Sequence, residues 1–343
     1  MSKTNVVKGY KVFNPDWTCK GKQYKVGETA TQDGGLKLCW NGIHFCTKLE
    51  DCFQYYDANP KYKMAEVEAI GNVLYSDENN KCCTNKLKVV REISIQELLD
   101  DEKICLRIVK TNGCALKYIQ NQTPEICLEA VKQDGLALPW VKDQTPKICL
   151  EAVKQNGNAL YFVKEQTSEI CLEAVKECGY AIEYVKNQTP EICLTAVKQD
   201  GCALKFVKNQ TPEICLEAVK EDGLALKYVK EQIPEICLEA INEDGLALQY
   251  VKDPTPEFCI TAVHQNGYAL KFIKNQTPEL CLAAVKQNGD VLKFVKEQTP
   301  EICLEAVKED GYALKHVENQ TPKICRAAIA KTPYAKNYVR ISI

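Results

Sequence analysis

The chain has 343 residues, 45% hydrophobic and 26% charged, with a formal net charge of −2. Such a composition suits a soluble globular protein, and a near-neutral chain is not drawn as a whole to nucleic acid or to an acidic membrane surface. No apolar run approaches the length of a membrane span and the opening MSKTNVVKGY lacks a signal-peptide core, so the expected compartment is cytoplasmic and reducing, with the 20 cysteines mostly free thiols.

In chain order, GYKVFN, KQYKVGET, GLKLC, GIHFC, MAEVEAIGNVLYS and KLKVVREI read as short strands from their alternation and β-branched content. Between them, KLEDCFQYYD reads as one helix. The expectation over residues 1–95 is a small α+β domain. Ser94-Ile95-Gln96-Glu97 is a capping-box pattern. The helix that it opens, SIQELLDDE, supplies the linker at 96–101 and is expected to cap the first repeat, joining the two domains rigidly.

Over about residues 8–95 this segment resembles an uncharacterised domain of phage and bacterial proteins. The resemblance rests on KGYKVFNPDWTCKGKQYKVGE, C.NGIHFC..LEDCFQYY, AEVEAIG and KVVREIS, and it brings no established activity. GIHFCTKLEDCFQYY also looks like the strand–helix segment of ADP-ribosyltransferases, in which a glycine-flanked strand leads to a helix beside the nicotinamide pocket. That resemblance implies a hydrogen-bonding His44, a ring stacked on Tyr55 or Tyr56, and a ribose held by Glu92, Glu66 or Glu68. GYKVFN offers neither the histidine nor the arginine of that family's first strand. The plainer reading makes Phe45, Phe53 and Tyr56 core and His44 a satisfied interior residue.

Cys19, Cys39, His44, Cys46, Cys52, Cys82 and Cys83 have the chemistry of zinc ligands, but C-x-x-C knuckles are absent. They are expected to be buried or incidental thiols, with no metal and no cofactor.

From Glu102 onward the period changes. Eleven units of 22 residues fill 102–343 without an insertion. In TPEICLEAVKEDGLALKYVKEQ, Thr211 is a good N-cap, Pro212 a tolerated first helical residue and Glu213 a favourable neighbour of the helix dipole. Gly223 is read as the stop of the first helix and Leu224–Lys230 as a shorter second one. An unbroken helix, as in proline-punctuated apolipoproteins, would place Asp222 among Ile214, Cys215, Ala218 and Val219 on its wheel. The fold class is therefore mainly α: an eleven-unit α-hairpin solenoid after a small α+β domain, its stability shared between neighbouring units.

Each unit carries a cysteine at the same place, from Cys105 to Cys325. Stacked helices lie ~8–10 Å apart, beyond the reach of a disulfide or a shared zinc, so this cysteine reads as a small buried hydrophobe. Glu213, Glu217 and Lys220 read as a solvated, internally paired face. An aromatic row (Tyr118, Trp140, Phe162, Tyr184, Phe206, Tyr228, Tyr250, Phe272, Phe294) reads as core, with His316 a tolerated replacement. His264 replaces a surface lysine and is expected to be solvated.

The residue after the glycine changes from unit to unit. Asn158, Tyr180, Leu224, Leu246, Tyr268, Asp290 and Tyr312 are the candidate binding positions, read as inter-helix loop tips on a constant frame. The frame "TPE…A…G…AL" looks a little like the DNA-reading repeats of transcription-activator-like effectors, which are longer units, and this array lacks their strong positive excess. "TPEICLEAVKQDG…AL.YV" more closely resembles an uncharacterised repeat family of giant-virus and related proteins, which implies a helical array and no chemistry. In the last unit Pro333 stands for the glycine, and Arg326, Lys331, Lys336 and Arg340 give the polar face expected of a capping unit. The expected function is a scaffold for a protein partner, presenting the N-terminal domain. An ADP-ribosyltransferase-like enzyme targeted by the array is the alternative, a nucleic-acid-binding array the lesser one, and no membrane contact is expected.

Overall fold

The computed structural model describes residues 6–38, 40–76 and 81–342; Cys39 lies outside them. The chain divides into two compact units, Met1–Glu177 and Cys178–Ile343.

The first unit opens with nine short strands: β1 (Val7–Phe13), β2 (Thr18–Cys19), β3 (Lys22–Gln23), β4 (Thr29–Thr31), β5 (Ile43–Phe45), β6 (Lys63–Ala69), β7 (Val73–Tyr75), β8 (Cys82–Thr84) and β9 (Lys86–Ile93). An antiparallel sheet runs β1-β6-β9-β4, a second β5-β8-β7, and β2-β3 form a hairpin. Alternation drives the first sheet: Leu87 and Val89 of β9 and Ala65, Val67 and Ala69 of β6 enter a core with Phe13, Tyr24, Ile43 and Phe45. The β2–β3 turn is Lys20-Gly21, both at positive φ (49° and 72°), the conformation that a two-residue hairpin of matching twist requires.

Several expectations fail here. KQYKVGET keeps only Lys22–Gln23 and the first residue of β4, and MAEVEAIGNVLYS divides between β6 and β7, which lie in different sheets. Of GLKLC, Lys37 makes only an isolated bridge to Asn41; Gly34 and Gly42, at φ 92° and 134°, bend the chain back on either side of the segment. KLEDCFQYYD contracts to a 3-10 turn, Glu50–Gln54, because Leu49 has no capping side chain to satisfy the first N–H groups. Cys52 and Phe53 remain buried.

Ser94 caps α1 (Ile95–Asp100) by accepting from the Glu97 amide at 3.3 Å. Asp101 ends α1 in an extended conformation and caps α2 (Glu102–Thr111), accepting from Ile104 N at 3.0 Å. Ile95, Leu98 and Leu99 are buried, and Cys105 Sγ of α2 donates to Leu99 O at 3.1 Å. Polar contacts tie the first repeat to the sheet domain. Arg107 pairs with Glu50, Asn112 Nδ2 donates to Phe53 O at 2.9 Å, and Asp57 Oδ2 accepts from Lys117 Nζ and Tyr118 Oη, each at 2.8 Å. Three further repeat helices complete this unit: α3 (Pro124–Gln133), α4 (Pro146–Gln155) and α5 (Ser168–Glu177).

The second unit holds α6 (Pro190–Gln199), α7 (Pro212–Glu221), α8 (Pro234–Glu243), α9 (Pro256–Gln265), α10 (Pro278–Gln287), α11 (Pro300–Glu309) and α12 (Pro322–Lys331). Eleven ten-residue helices, α2 to α12, thus recur along the described residues, each followed by a six-residue 3-10 helix. Thr211 caps α7 through Oγ1, 3.3 Å from Ile214 N. Behind it Ile214, Cys215, Ala218, Val219, Ala225, Leu226 and Val229 are buried.

The structure moves the stop of the first helix. Asp222, not Gly223, ends α7: it is extended (φ −145°, ψ 108°), and its carboxylate accepts from Leu224 N at 2.9 Å, opening the 3-10 helix Gly223–Tyr228. Gly223 is absent from the positive-φ glycines. Its role is proximity: a Cβ there would lie 2.5 Å from Ala240 O and 2.9 Å from Asp244 N of the next repeat. Gly201, Gly245 and Gly289 meet the same Ala carbonyl at 2.3–2.4 Å.

Candidate functional site

The varying residues are not loop tips. Asn158, Tyr180, Leu224, Leu246, Tyr268, Asp290 and Tyr312 are each the second residue of a 3-10 helix, because the preceding Asp, Asn or Cys has already turned the chain. They are half-buried or exposed, beside neighbours that are buried.

Nor is the aromatic row core. Trp140 is exposed and the other eight members, Tyr118, Phe162, Tyr184, Phe206, Tyr228, Tyr250, Phe272 and Phe294, are half-buried. In the second unit the two rows meet across neighbouring repeats. Tyr180 packs edge-on to Phe206, Tyr268 to Phe294 and Tyr312 to Tyr338, with centroids 5.9, 6.1 and 6.2 Å apart. A lysine ammonium lies over several rings: Lys205 over Phe206, Lys227 over Tyr228 and Lys271 over Phe272, at 4.5–5.2 Å.

One rung is built differently. Asp290 stands where Tyr268 and Tyr312 stand in adjacent repeats, and His316 occupies the aromatic position of the following one. His316 Nε2 lies 3.1 Å from Asp290 Oδ1, Lys315 Nζ 3.2 Å from the same oxygen, and Tyr268 Oη donates to Oδ2 at 3.4 Å. Hydrogen bonding from Lys293 pushes the Asp290 carboxyl well below the usual range. An aromatic pair is replaced by a polar, hydrogen-bonded one, so His316 is matched to Asp290 rather than merely tolerated. His264 is exposed.

Sequence reasoning missed the residue that stitches the repeats. Gln210 Nε2 donates to Leu204 O of its own repeat at 3.2 Å and to Tyr228 O of the next at 3.0 Å, while Oε1 accepts from Lys230 N at 3.0 Å. Cys215 Sγ points at the same Oε1 from 3.8 Å. Gln144, Gln188, Gln276, Gln298 and Gln320 repeat the arrangement. The only trace of it in the sequence is a glutamine two residues before nearly every helical proline. Apart from Cys105 and Cys259, the repeat cysteines are therefore weak donors to this amide as well as packing groups, and burial raises the thiol pKa, to about 11 at Cys303, which keeps the thiol protonated and inert.

In the sheet domain, His44 lies on β5 and Tyr56 follows the 3-10 turn. Both line a cavity of about 170 Å³ and an adjoining one of about 60 Å³, and Tyr55 lines the smaller. Glu92 does not join them: on β9 it pairs with Lys63 at 2.8 Å. Glu66 accepts both arms of Arg91, and with Glu68 it lines a separate depression beside Lys8 and Thr47. His44, Tyr55 and Tyr56 are thus brought together, and the glutamates are held elsewhere. Among the described residues no three of His, Cys, Asp or Glu converge in a way able to hold a metal ion. Nor is any helix there long and apolar enough to cross a membrane.

Comparison with known families separates the same two parts. Residues 7–101 match a domain of unknown function, DUF7666. A second domain of unknown function, DUF4116, matches nine times, from residues 101–145 to 277–320, each match covering about two repeats and starting about one repeat after the last. No curated protein and no solved structure matched the chain. With those nine matches spanning well over half of its length, the chain belongs to the DUF4116 family and carries a DUF7666 domain at its head.

Proposed function

We propose that the repeats are a protein-binding scaffold that presents the sheet domain, and that the contact surface is the paired row of varying and aromatic residues on the 3-10 helices. The observation carrying this reading is the pairing itself: Tyr180 with Phe206, Tyr268 with Phe294 and Tyr312 with Tyr338 recur in step with a constant buried frame. Half-exposed aromatic side chains on a regular scaffold are suited to act as binding anchors. Lys205, Lys227, Lys271, Lys293 and Lys315 flank the row, which suits a partner segment of apolar and acidic residues. Stacking of nucleic-acid bases is less well served, because lysines already lie over the faces of Phe206, Tyr228 and Phe272.

The test is an array of synthetic peptides probed with the full chain and with Y180S/Y268S/Y312S. Peptides alternating apolar with Asp or Glu are expected to bind, and the triple variant to lose at least tenfold in affinity while keeping its helical content. Equal retention of basic peptides, or competition by single-stranded oligonucleotide with a steep loss in salt, overturns the proposal.

A further inference from the structure

We propose that the cavity of about 170 Å³ beside His44 and Tyr56 binds the phosphoryl group of a small molecule. At its floor Lys11 is only 4% exposed. Its Nζ donates to His44 O at 2.9 Å and to Cys19 Sγ at 3.4 Å, and lies 5.4 and 5.7 Å from the ring centres of Phe13 and Tyr24. None of these groups is a carboxylate. A buried ammonium opposed only by thiols, those of Cys19, Cys52 and Cys46, is costly, and burial accordingly lowers the Lys11 pKa. An anion entering the cavity supplies the missing charge.

The rest of the wall points the same way. Lys20 of the β2–β3 turn and Lys22 at the start of β3 also line it, with Lys20 held at a φ of 49° that side chains rarely adopt. Among the described residues lining the cavity there is no aspartate or glutamate. His44 registers the resulting field: burial first, then Lys20, Lys81 and Lys11, push its pKa down to about 4. Tyr24 and Tyr56 are kept protonated by burial, so both phenols can donate to an oxyanion. Lysines of β1 and of the hairpin thus line one cavity, and lysine binds phosphate as a point charge.

The experiment is calorimetric titration of the full chain with inorganic phosphate and with adenosine 5′-monophosphate, against potassium chloride at matched ionic strength. Saturable binding of at least one phosphoryl compound is expected, weakened at least tenfold in K20Q/K22Q and in K11M. Tenfold tighter binding of the nucleotide assigns the site to a phosphorylated metabolite, equal binding to phosphate itself, and either supports the proposal. Should K11M fail to fold, K20Q/K22Q carries the test, since Lys20 lies on an exposed turn and Lys22 at the start of a two-residue strand at the surface. Heat no different from that of chloride, or unchanged binding in K20Q/K22Q, overturns it.

Discussion

At the scale of the residue, the glycine shows how a correct position can be read for the wrong reason. A glycine after Asp or Asn matches a helix C-cap signal, yet Asp222 does the turning in an ordinary extended conformation. What Gly223 contributes is the missing Cβ, which would meet two backbone atoms of the next repeat at 2.5 and 2.9 Å. Backbone cannot swing aside as a side chain can, so G223A must push the neighbouring repeat away, at about 1–3 kcal/mol. L224A, one residue on, trims a half-buried side chain and is expected to cost about 1 kcal/mol. Thermal unfolding of the two variants checks this: a clearly larger fall in melting temperature is expected for G223A, and equal falls would show that the close approach is not what selects the glycine. No single-sequence signal separates these roles, because cap and contact both demand glycine and differ only in φ and in what lies across the interface.

At the scale of the element, the hairpin was legible and its fastening was not. Thr-Pro starts, buried positions and the break into two segments follow from capping and periodicity within one unit. Gln210 acts between units, joining Leu204, Tyr228 and Lys230, and within its own unit it sits in a polar loop that resembles turn chemistry. Q210L should leave two carbonyls and one amide without that partner, at a cost of about 2–4 kcal/mol. The chain also offers the converse: Pro254 occupies this position before α9 and has no side-chain amide to give. P254Q is therefore expected to raise the melting temperature, provided that the new glutamine reaches Phe272 O and Lys274 N. Circular-dichroism melts of Q210L and P254Q should move in opposite directions; movement of both downward would mean that the local backbone at 254 needs proline more than it needs the staple.

At the scale of the whole molecule, the instructive step is the passage from sheet to repeats. Ser94 caps α1, and Ile95, Leu98 and Leu99 bury it. The polar half of the junction was invisible in sequence, since Glu50, Phe53 and Asp57 lie some 57–61 residues from the partners that they meet. A repeat gains stability from neighbours on both sides, and the first one has the sheet domain where the others have a hairpin. Its protection should therefore depend on Asp57 and Asn112. In D57A/N112A, amide exchange across α2 is expected to quicken at least tenfold, approaching local opening, while α8 and α9 keep their rates. Mass spectrometry of peptic fragments reads both regions in one experiment. Unchanged exchange at α2 would mean that the buried contacts of α1 suffice to seat the first repeat, and a uniform increase from α2 to α12 would mean that the repeats open as one cooperative body whose stability is set at the sheet domain.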